Sequence, residues 1–390
     1  MAYWLNARCA RSCGMLCRFF LLLCAFCLSL FSFAGDPPVP LQPETIYLNS
    51  LQPFDSATHQ KIDQYFKRLH QSGHFNGSVV LFNDGQVFWN SYGVRDWRTL
   101  DSLNLNTSFQ LASVSKTITS SAVMILVERG IISLSDTLPQ FFPGIPYPKV
   151  TVEMLLNHRS GLPDYLNFLP KTYNGGEPIT NEQLVQYMVE KKPAPYTKPG
   201  QFFRYNNTNY ALLACIVEQV TQAPFEDFVD QEIFEPIGMY NSFIFRNGYA
   251  PRTENSAIGF SGKYARNDKL IDGIVGDKGI YASALDLLKF HVALENNFLL
   301  SDSIQRKMYS GSPEMKGIKD YGLGWRLFKD GSGIVYHRGW WNGFKNNFLR
   351  IPKRNACVIV LSNNDQTRPM DMAQMFRLMG IDISEREFDF

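Results

Sequence analysis

Strand-like segments lie at the two ends of this sequence and helix-like segments fill its middle, and that distribution limits the fold most. Ser56 to Gly73 has helical periodicity through Ile62, Tyr65, Phe66 and Leu69, with Ser56 as its N-cap. A hairpin follows: Ser78 to Phe82 is apolar, Asn83-Asp84-Gly85 turns, and Gln86 to Tyr92 returns. The middle reads as helices. Ser113 to Gly130 is predicted amphipathic and stopped by glycine; Thr151 to His158 is short; Thr180 to Lys191 opens with a Thr180/Gln183 capping box. Asn207 to Thr221, Phe225 to Phe234 and a helix opened by Ser283 and Asp286 complete this region. The end returns to strands at Tyr321–Phe328, Gly333–His337, Asn346–Ile351 and Ala356–Ser362, then a closing helix from Met370 to Met379. The economical architecture is α+β: one antiparallel sheet built from both chain ends, flanked by terminal helices, with a mainly helical region inserted. On this reading the sheet region is 55–111 and 275–380, and the helical region is 112–274. A cleft between the two is where a site is expected.

The first 34 residues read differently. Arg8, Arg11 and Arg18 precede an uncharged apolar run, Phe19 to Phe33, which ends in Ser32-Phe33-Ala34. That layout predicts a secretory signal peptide cleaved after Ala34, and hence an exported protein; an uncleaved leader would be a membrane anchor. Residues 35–54, with five prolines, read as a linker, and 381–390 as a C-terminal tail. The leader also distorts two global counts. Of 38 basic residues it holds three, so 35 remain against 36 acidic residues, and a near-neutral chain gives no electrostatic reason to expect nucleic acid. Five of the seven cysteines lie in it, leaving Cys215 and Cys357, which read as two buried thiols or as a disulfide. Beyond the leader there is no His-Glu-x-x-His or Cys-x-x-Cys spacing, so neither a metal nor another cofactor is expected.

Three short motifs carry chemistry. In Leu111-Ala112-Ser113-Val114-Ser115-Lys116-Thr117, Ser113 and Lys116 are three apart at a helix start and share a face. A serine hydroxyl needs a neighbouring base, and a neutral lysine one turn away can take its proton. Alone the pair is weak evidence, since an ordinary capped helix with an exposed lysine has the same pattern. Gly200 to Tyr210 runs from a Pro-Gly turn into a helix and contains Tyr205-x-Asn207, a phenol and an amide projecting from one loop. Tyr47/Asn49 and Tyr165/Asn167 have the same spacing, but only the copy at 205 leads from a turn into a helix. On a late strand His337-Arg338-Gly339-Trp340 is the only His-x-Gly, and its glycine permits close approach of a ligand to the strand edge. The backbone N–H groups of Ser113 and Trp340 then form an oxyanion hole.

Ser-x-x-Lys, Tyr-x-Asn and His-x-Gly in this order resemble the serine β-lactamase and penicillin-binding-protein family, in its class C, D-alanyl-D-alanine carboxypeptidase and esterase branch. Leu156-Asn157-His158-Arg159-Ser160-Gly161-Leu162-Pro163 and Gly276 to Ser283 look like the same branch. The resemblance spans roughly residues 60 to 365 and implies the β-lactamase/transpeptidase-like fold. It implies Ser113 as acylated nucleophile, Lys116 and Tyr205 sharing acid–base work, Asn207 orienting substrate and lysine, and His337 as a further catalytic residue standing where efficient β-lactamases have lysine. A mostly neutral histidine there favours ester, D-amino-acid peptide or weak β-lactam substrates over fast β-lactam hydrolysis. Arg338 is expected on the opposite face of the strand from His337. His158 is expected to be structural, Glu218 and Glu226 solvated or paired, and one of Trp340 and Trp341 to line the cleft. The alternative is a slowly acylating sensor or scaffold of the cell wall. Association with membrane or wall would be peripheral in either case.

Overall fold

An early hairpin and a late run of antiparallel strands meet to make the sheet that positions the site. The computed structural model describes residues 48–172, 176–247, 252–311, 319–368 and 370–383, all within one unit, Thr45–Phe390. The leader, the linker up to Tyr47 and the tail from Ser384 lie outside the described residues. The main strands are β1 (Gln52–Pro53), β2 (Gly77–Asn83), β3 (Gln86–Tyr92), β4 (Lys319–Tyr321), β5 (Arg326–Phe328), β6 (Val335–Trp341), β7 (Phe344–Ile351) and β8 (Ala356–Ser362). They form one sheet in the order β1-β3-β2-β8-β7-β6-β5-β4. The central seam pairs β2 with β8, so the first hairpin and the last strand meet antiparallel, Ser78 opposite Leu361. Every pairing is antiparallel except β1 with β3. The β2–β3 hairpin closes through Asp84 and Gly85, both at positive φ (44° and 86°), the geometry whose twist matches paired strands.

The principal helices are α1 (Ser56–Gln71), α2 (Ser115–Glu128), α3 (Asn181–Lys191), α4 (Asn207–Thr221), α5 (Ala284–Glu295) and α6 (Met372–Leu378). One face of the sheet, with Val79, Leu81, Leu349 and Val358, packs with residues of α1 and α6 in one apolar cluster. The other face, with Val80, Phe348, Ile359 and Leu361, joins the core of the helical region. The α+β expectation therefore holds, and the helices fall where their caps indicate. Thr180 and Gln183 form the full capping box, whereas at the later helix only the Ser283 half is present, accepting from Asp286 N, and Asp286 Oδ2 accepts from Asn241 N instead.

Three local expectations are corrected. The N-cap of α1 is Asp55, not Ser56; its carboxylate accepts from Ala57 N and Thr58 N at 3.0 Å each. Tyr321–Phe328 is two strands, because the turn from Gly322 to Trp325 folds β5 back on β4. Nor is α2 amphipathic: all twelve residues from Ser115 to Leu126 are buried. Its hydroxyl residues mimic a polar face, yet Ser115 accepts from Ile280 N and the other four donate to backbone carbonyls inside the protein. Thr117 donates to Val114 O, Thr119 to Gly276 O, Ser120 to Leu323 O and Ser121 to Thr117 O, at 2.7–3.0 Å. Satisfied hydroxyls can be buried at little cost, so α2 runs through the centre instead of lying on the surface.

Cys215 and Cys357 are both buried free thiols, and burial pushes each thiol pKa up, which favours inert side chains over reactive ones. Among the described residues no helix is long and apolar enough to cross a membrane.

Candidate active site

Ser113 sits in a one-turn 3-10 segment, Ala112–Val114, that feeds directly into α2. Ala112 is held at φ +51°, a conformation a side chain adopts only when its surroundings impose it. The restraints are visible. Leu111 N donates to Ile280 O at 2.8 Å, Ser115 Oγ accepts from Ile280 N at 3.3 Å, and Asn346 of β7 donates through Nδ2 to Gln110 O at 2.8 Å. Strand β6 presses on the same turn: a Cβ added to Gly339 would collide with the Leu111 carbonyl oxygen. Gly339 is therefore required by contact between strand and nucleophile turn, and the close approach expected at this glycine is made by the protein itself.

Lys116 is completely buried and its Nζ meets three acceptors: Ser113 Oγ at 3.2 Å, Asn207 Oδ1 at 2.9 Å and the Asp277 carbonyl at 2.8 Å. An amine so placed can keep two N–H bonds on Asn207 and Asp277 while its lone pair faces the serine. Asn207, at the start of α4, is itself locked. Asp164 Oδ2 accepts from Asn207 N at 3.0 Å and from Nδ2 at 3.1 Å, so the amide presents oxygen, not nitrogen, to Lys116. Burial raises the Asp164 carboxyl above its usual range, with the Asn207 N–H opposing. Tyr205 lies alongside: its ring centroid is 5.0 Å from Lys116 Nζ, 4.4 Å from the His158 ring and 5.1 Å from the Arg326 guanidinium carbon.

The oxyanion-hole geometry follows from hairpin register. Strands β6 and β7 are joined by Asn342 and Gly343, both at positive φ (43° and 84°), so Trp341 and Phe344 form the hydrogen-bonded closing pair. Bonded pairs alternate with unbonded ones in an antiparallel ladder, so Trp340, opposite Lys345, turns its N–H away from β7. On that side β5 pairs only with Val335 and Tyr336, so the strand edge at Trp340 is left without a neighbouring strand. Ser113 opens a helical turn whose first N–H groups have no intrahelical acceptor. Ser113, Tyr205, Gly339 and Trp340 line one cleft of about 560 Å³.

His337 does not line that cleft. It is fully buried, with Nδ1 accepting from Arg338 N at 3.0 Å and Nε2 3.1 Å from Tyr321 Oη. Burial, then the charges of Arg326 and Lys116, hold it well below the usual histidine range. An acid limb near pH 6.5 is therefore not expected from this residue. Arg338 does lie on the opposite face of β6, and that face is the one lining the cleft. His158 belongs to an aromatic cluster with Tyr205, Tyr210 and Tyr321, its Nδ1 accepting from Asn206 N at 3.2 Å. Trp340 is the cleft tryptophan, while Trp341 donates through Nε1 to Asp272 at 2.7 Å. Glu218 and Glu226 both pair with Arg246. The Tyr165/Asn167 pair is elsewhere: Tyr165 Oη bonds Asp277 Oδ2 at 2.9 Å and Lys278 Nζ.

Sequence reasoning missed Asp164, the Asp277 carbonyl and Arg326. Asp164 stood one residue beyond the Gly161-Leu162-Pro163 segment, and Asp277 stood inside the Gly276–Ser283 segment. Both are noticed only when something is sought to orient Asn207 and Lys116. Among the described residues no group of three or more His, Cys, Asp or Glu side chains forms a metal site.

Comparison with known proteins gives the family and the fold. The Beta-lactamase family matches residues 62–378. Penicillin-binding protein 4* of Bacillus subtilis is 30% identical over 326 residues, covering 79% of this chain and 72% of that protein. Among solved structures, the octameric penicillin-binding protein homologue from Pyrococcus abyssi superposes with a TM-score of 0.71 at 26% identity, over 83% of this chain and 78% of that one. The D-amino acid amidase from Ochrobactrum anthropi SV3 shares the fold, with a TM-score of 0.65 at 22% identity over 79% of this chain and 90% of that one. The chain belongs to the β-lactamase family, and within it to the penicillin-binding-protein-like serine hydrolases.

Proposed function

We propose that this chain is an exported hydrolase that cleaves ester or D-amino-acid peptide carbonyls through an acyl-enzyme on Ser113. The observation that carries the reading is Lys116 Nζ, held 3.2 Å from Ser113 Oγ with its other contacts fixed on Asn207 and Asp277. Ser113 Oγ attacks the carbonyl carbon while its proton passes to Lys116, with Tyr205 sharing the transfer. The N–H groups of Ser113 and Trp340 hold the oxyanion of the tetrahedral intermediate. Collapse expels the leaving group, which takes a proton from the Lys116/Tyr205 pair. Water then attacks the acyl-enzyme with the same groups as base, and Ser113 is restored.

Two features favour esters and peptides over β-lactams. His337 is buried and neutral, so it supplies no fixed charge of the kind lysine gives efficient β-lactamases. One structural neighbour is by name a D-amino acid amidase, its structure a complex with L-phenylalanine amide, an open-chain amide. Export is supported by the charged-then-apolar leader ending at Ala34.

The test compares a short-chain nitrophenyl ester with a chromogenic cephalosporin, for the wild type and Ser113→Ala. Ester turnover should fall about 10³-fold or more in the variant, with cephalosporin cleavage slow throughout. Fast cephalosporin cleavage would make the chain a β-lactamase. Acylation without turnover would favour a sensor or scaffold. Ester hydrolysis surviving in Ser113→Ala would remove Ser113 as nucleophile.

A further inference from the structure

The cleft does not end at Ser113. It continues over the sheet face that carries the terminal helices, and its described lining includes five cations: Lys319, Arg326, Arg338, Lys345 and Arg368. No carboxylate is among the described lining residues. In a protein with nearly balanced charge, five like charges along one groove call for an explanation.

Register aligns the cations. Arg326 on β5 stands opposite Tyr336 of β6; Arg338 of β6 is opposite Asn347, and Trp340 opposite Lys345, so these side chains share one face. Arg338 and Lys345 are diagonal cross-strand neighbours, about 7–8 Å apart at their backbones. Two strand spacings across and a four-residue offset along β6 put Arg326 and Lys345 roughly 16 Å apart at their backbones. Arg368, in the segment after β8, extends the row, and Lys345 Nζ is tied to the neighbouring Thr367 carbonyl at 2.6 Å. Asp365, whose charge reaches Lys345, also pairs with Arg266 at 3.3 Å.

Neighbouring cations in the row repel one another. Burial pushes the Arg338 pKa down to about 10, with Arg326 adding to the effect. Burial and then Arg338 lower Lys345. An anion in the groove would weaken the repulsion between these neighbouring cations.

We propose that the substrate is oligoanionic: beyond the scissile carbonyl it carries at least two negative groups, which run from Arg326 and Arg338 past Lys345 to Arg368. The inference rests on Ser113 being the reacting centre of this cleft. It departs from a single carboxylate anchored beside the nucleophile, because the cations span three strands and a loop. Phosphate and carboxylate chains share the needed chemistry.

The test titrates the full chain with inorganic polyphosphate, poly-L-glutamate and uncharged polyethylene glycol, reading tryptophan fluorescence, since Trp340 lies in the groove. Hydrolysis of neutral nitrophenyl acetate is followed in parallel. At least one polyanion should bind, tighten as salt is lowered, and inhibit ester turnover; polyethylene glycol should do none of these. Binding of polyphosphate alone identifies a phosphate chain, and of polyglutamate alone a carboxylate chain. The Lys345→Glu/Arg368→Glu double variant should weaken binding about tenfold or more. Arg368→Glu, at an exposed position, gives the same direction without disturbing the Lys345–Thr367 contact. Two results overturn the inference: no polyanion binding at low salt, or equal binding by wild type and both variants. Absent ester turnover would instead indict the hydrolase reading, because fluorescence reports the groove independently.

Discussion

Replacing Lys116 with alanine is expected to slow acylation of Ser113 about 10²- to 10⁴-fold, the range for losing a positioned general base. The lysine is the only side chain whose nitrogen has a hydrogen-bond contact with Ser113 Oγ among the described residues. Its other two contacts, on Asn207 Oδ1 and the Asp277 carbonyl, leave it one direction in which to accept a proton. The variant loses stability as well, since the buried Asp277 carbonyl and the part-buried Asn207 Oδ1 both lose this donor. Activity and folding must therefore be read separately, by pre-steady-state release of nitrophenol and by thermal unfolding. A folded Lys116→Ala protein with acylation within tenfold of wild type would show that the base lies elsewhere.

Acidification from about pH 7.5 to about pH 5 is expected to cost this fold as much as about 6 kcal/mol through three histidines. His158, His291 and His337 are fully buried, and burial, then neighbouring cations, hold each well below the usual 6.5. Such a group stays neutral in the folded chain while the unfolded chain takes up a proton. The stability it contributes is complete above about pH 6.5 and declines as pH falls below that value, by about 1.4 kcal/mol per histidine per pH unit. His291 illustrates why it resists protonation: its Nδ1 accepts from Arg350 Nε at 2.9 Å. Burial raises the carboxyls of Asp164, Asp286 and Glu295, so their protonation favours the folded state and offsets part of the loss. Denaturant unfolding at the two pH values measures the difference. Equal or greater stability at the lower pH would contradict the account.

The legible parts of this protein were those encoded locally. Ser113 and Lys116 meet because one helical turn brings them together, and Tyr205 and Asn207 because a loop enters a helix between them. Strand β8 runs from Ala356 to Ser362, as its apolar run indicated. What needed the structure is through-space. Asp164 orients Asn207 across 43 positions of sequence. Parity along β6 separated His337 from Arg338, but only the packed sheet decides which face meets the cleft. The hydroxyls of α2 read as a solvent face because their acceptors, Gly276 O and Leu323 O, are remote in sequence. Asp55 outcompeted Ser56 as a cap by one residue, a distinction periodicity does not make.

The most direct test of the central claim is intact mass spectrometry of the full chain quenched early during turnover of an activated ester, followed by peptide mapping. The account predicts a single added acyl group on the peptide containing Ser113, absent from Ser113→Ala. Turnover with no adduct in the wild type, or an adduct on any other residue, would contradict it.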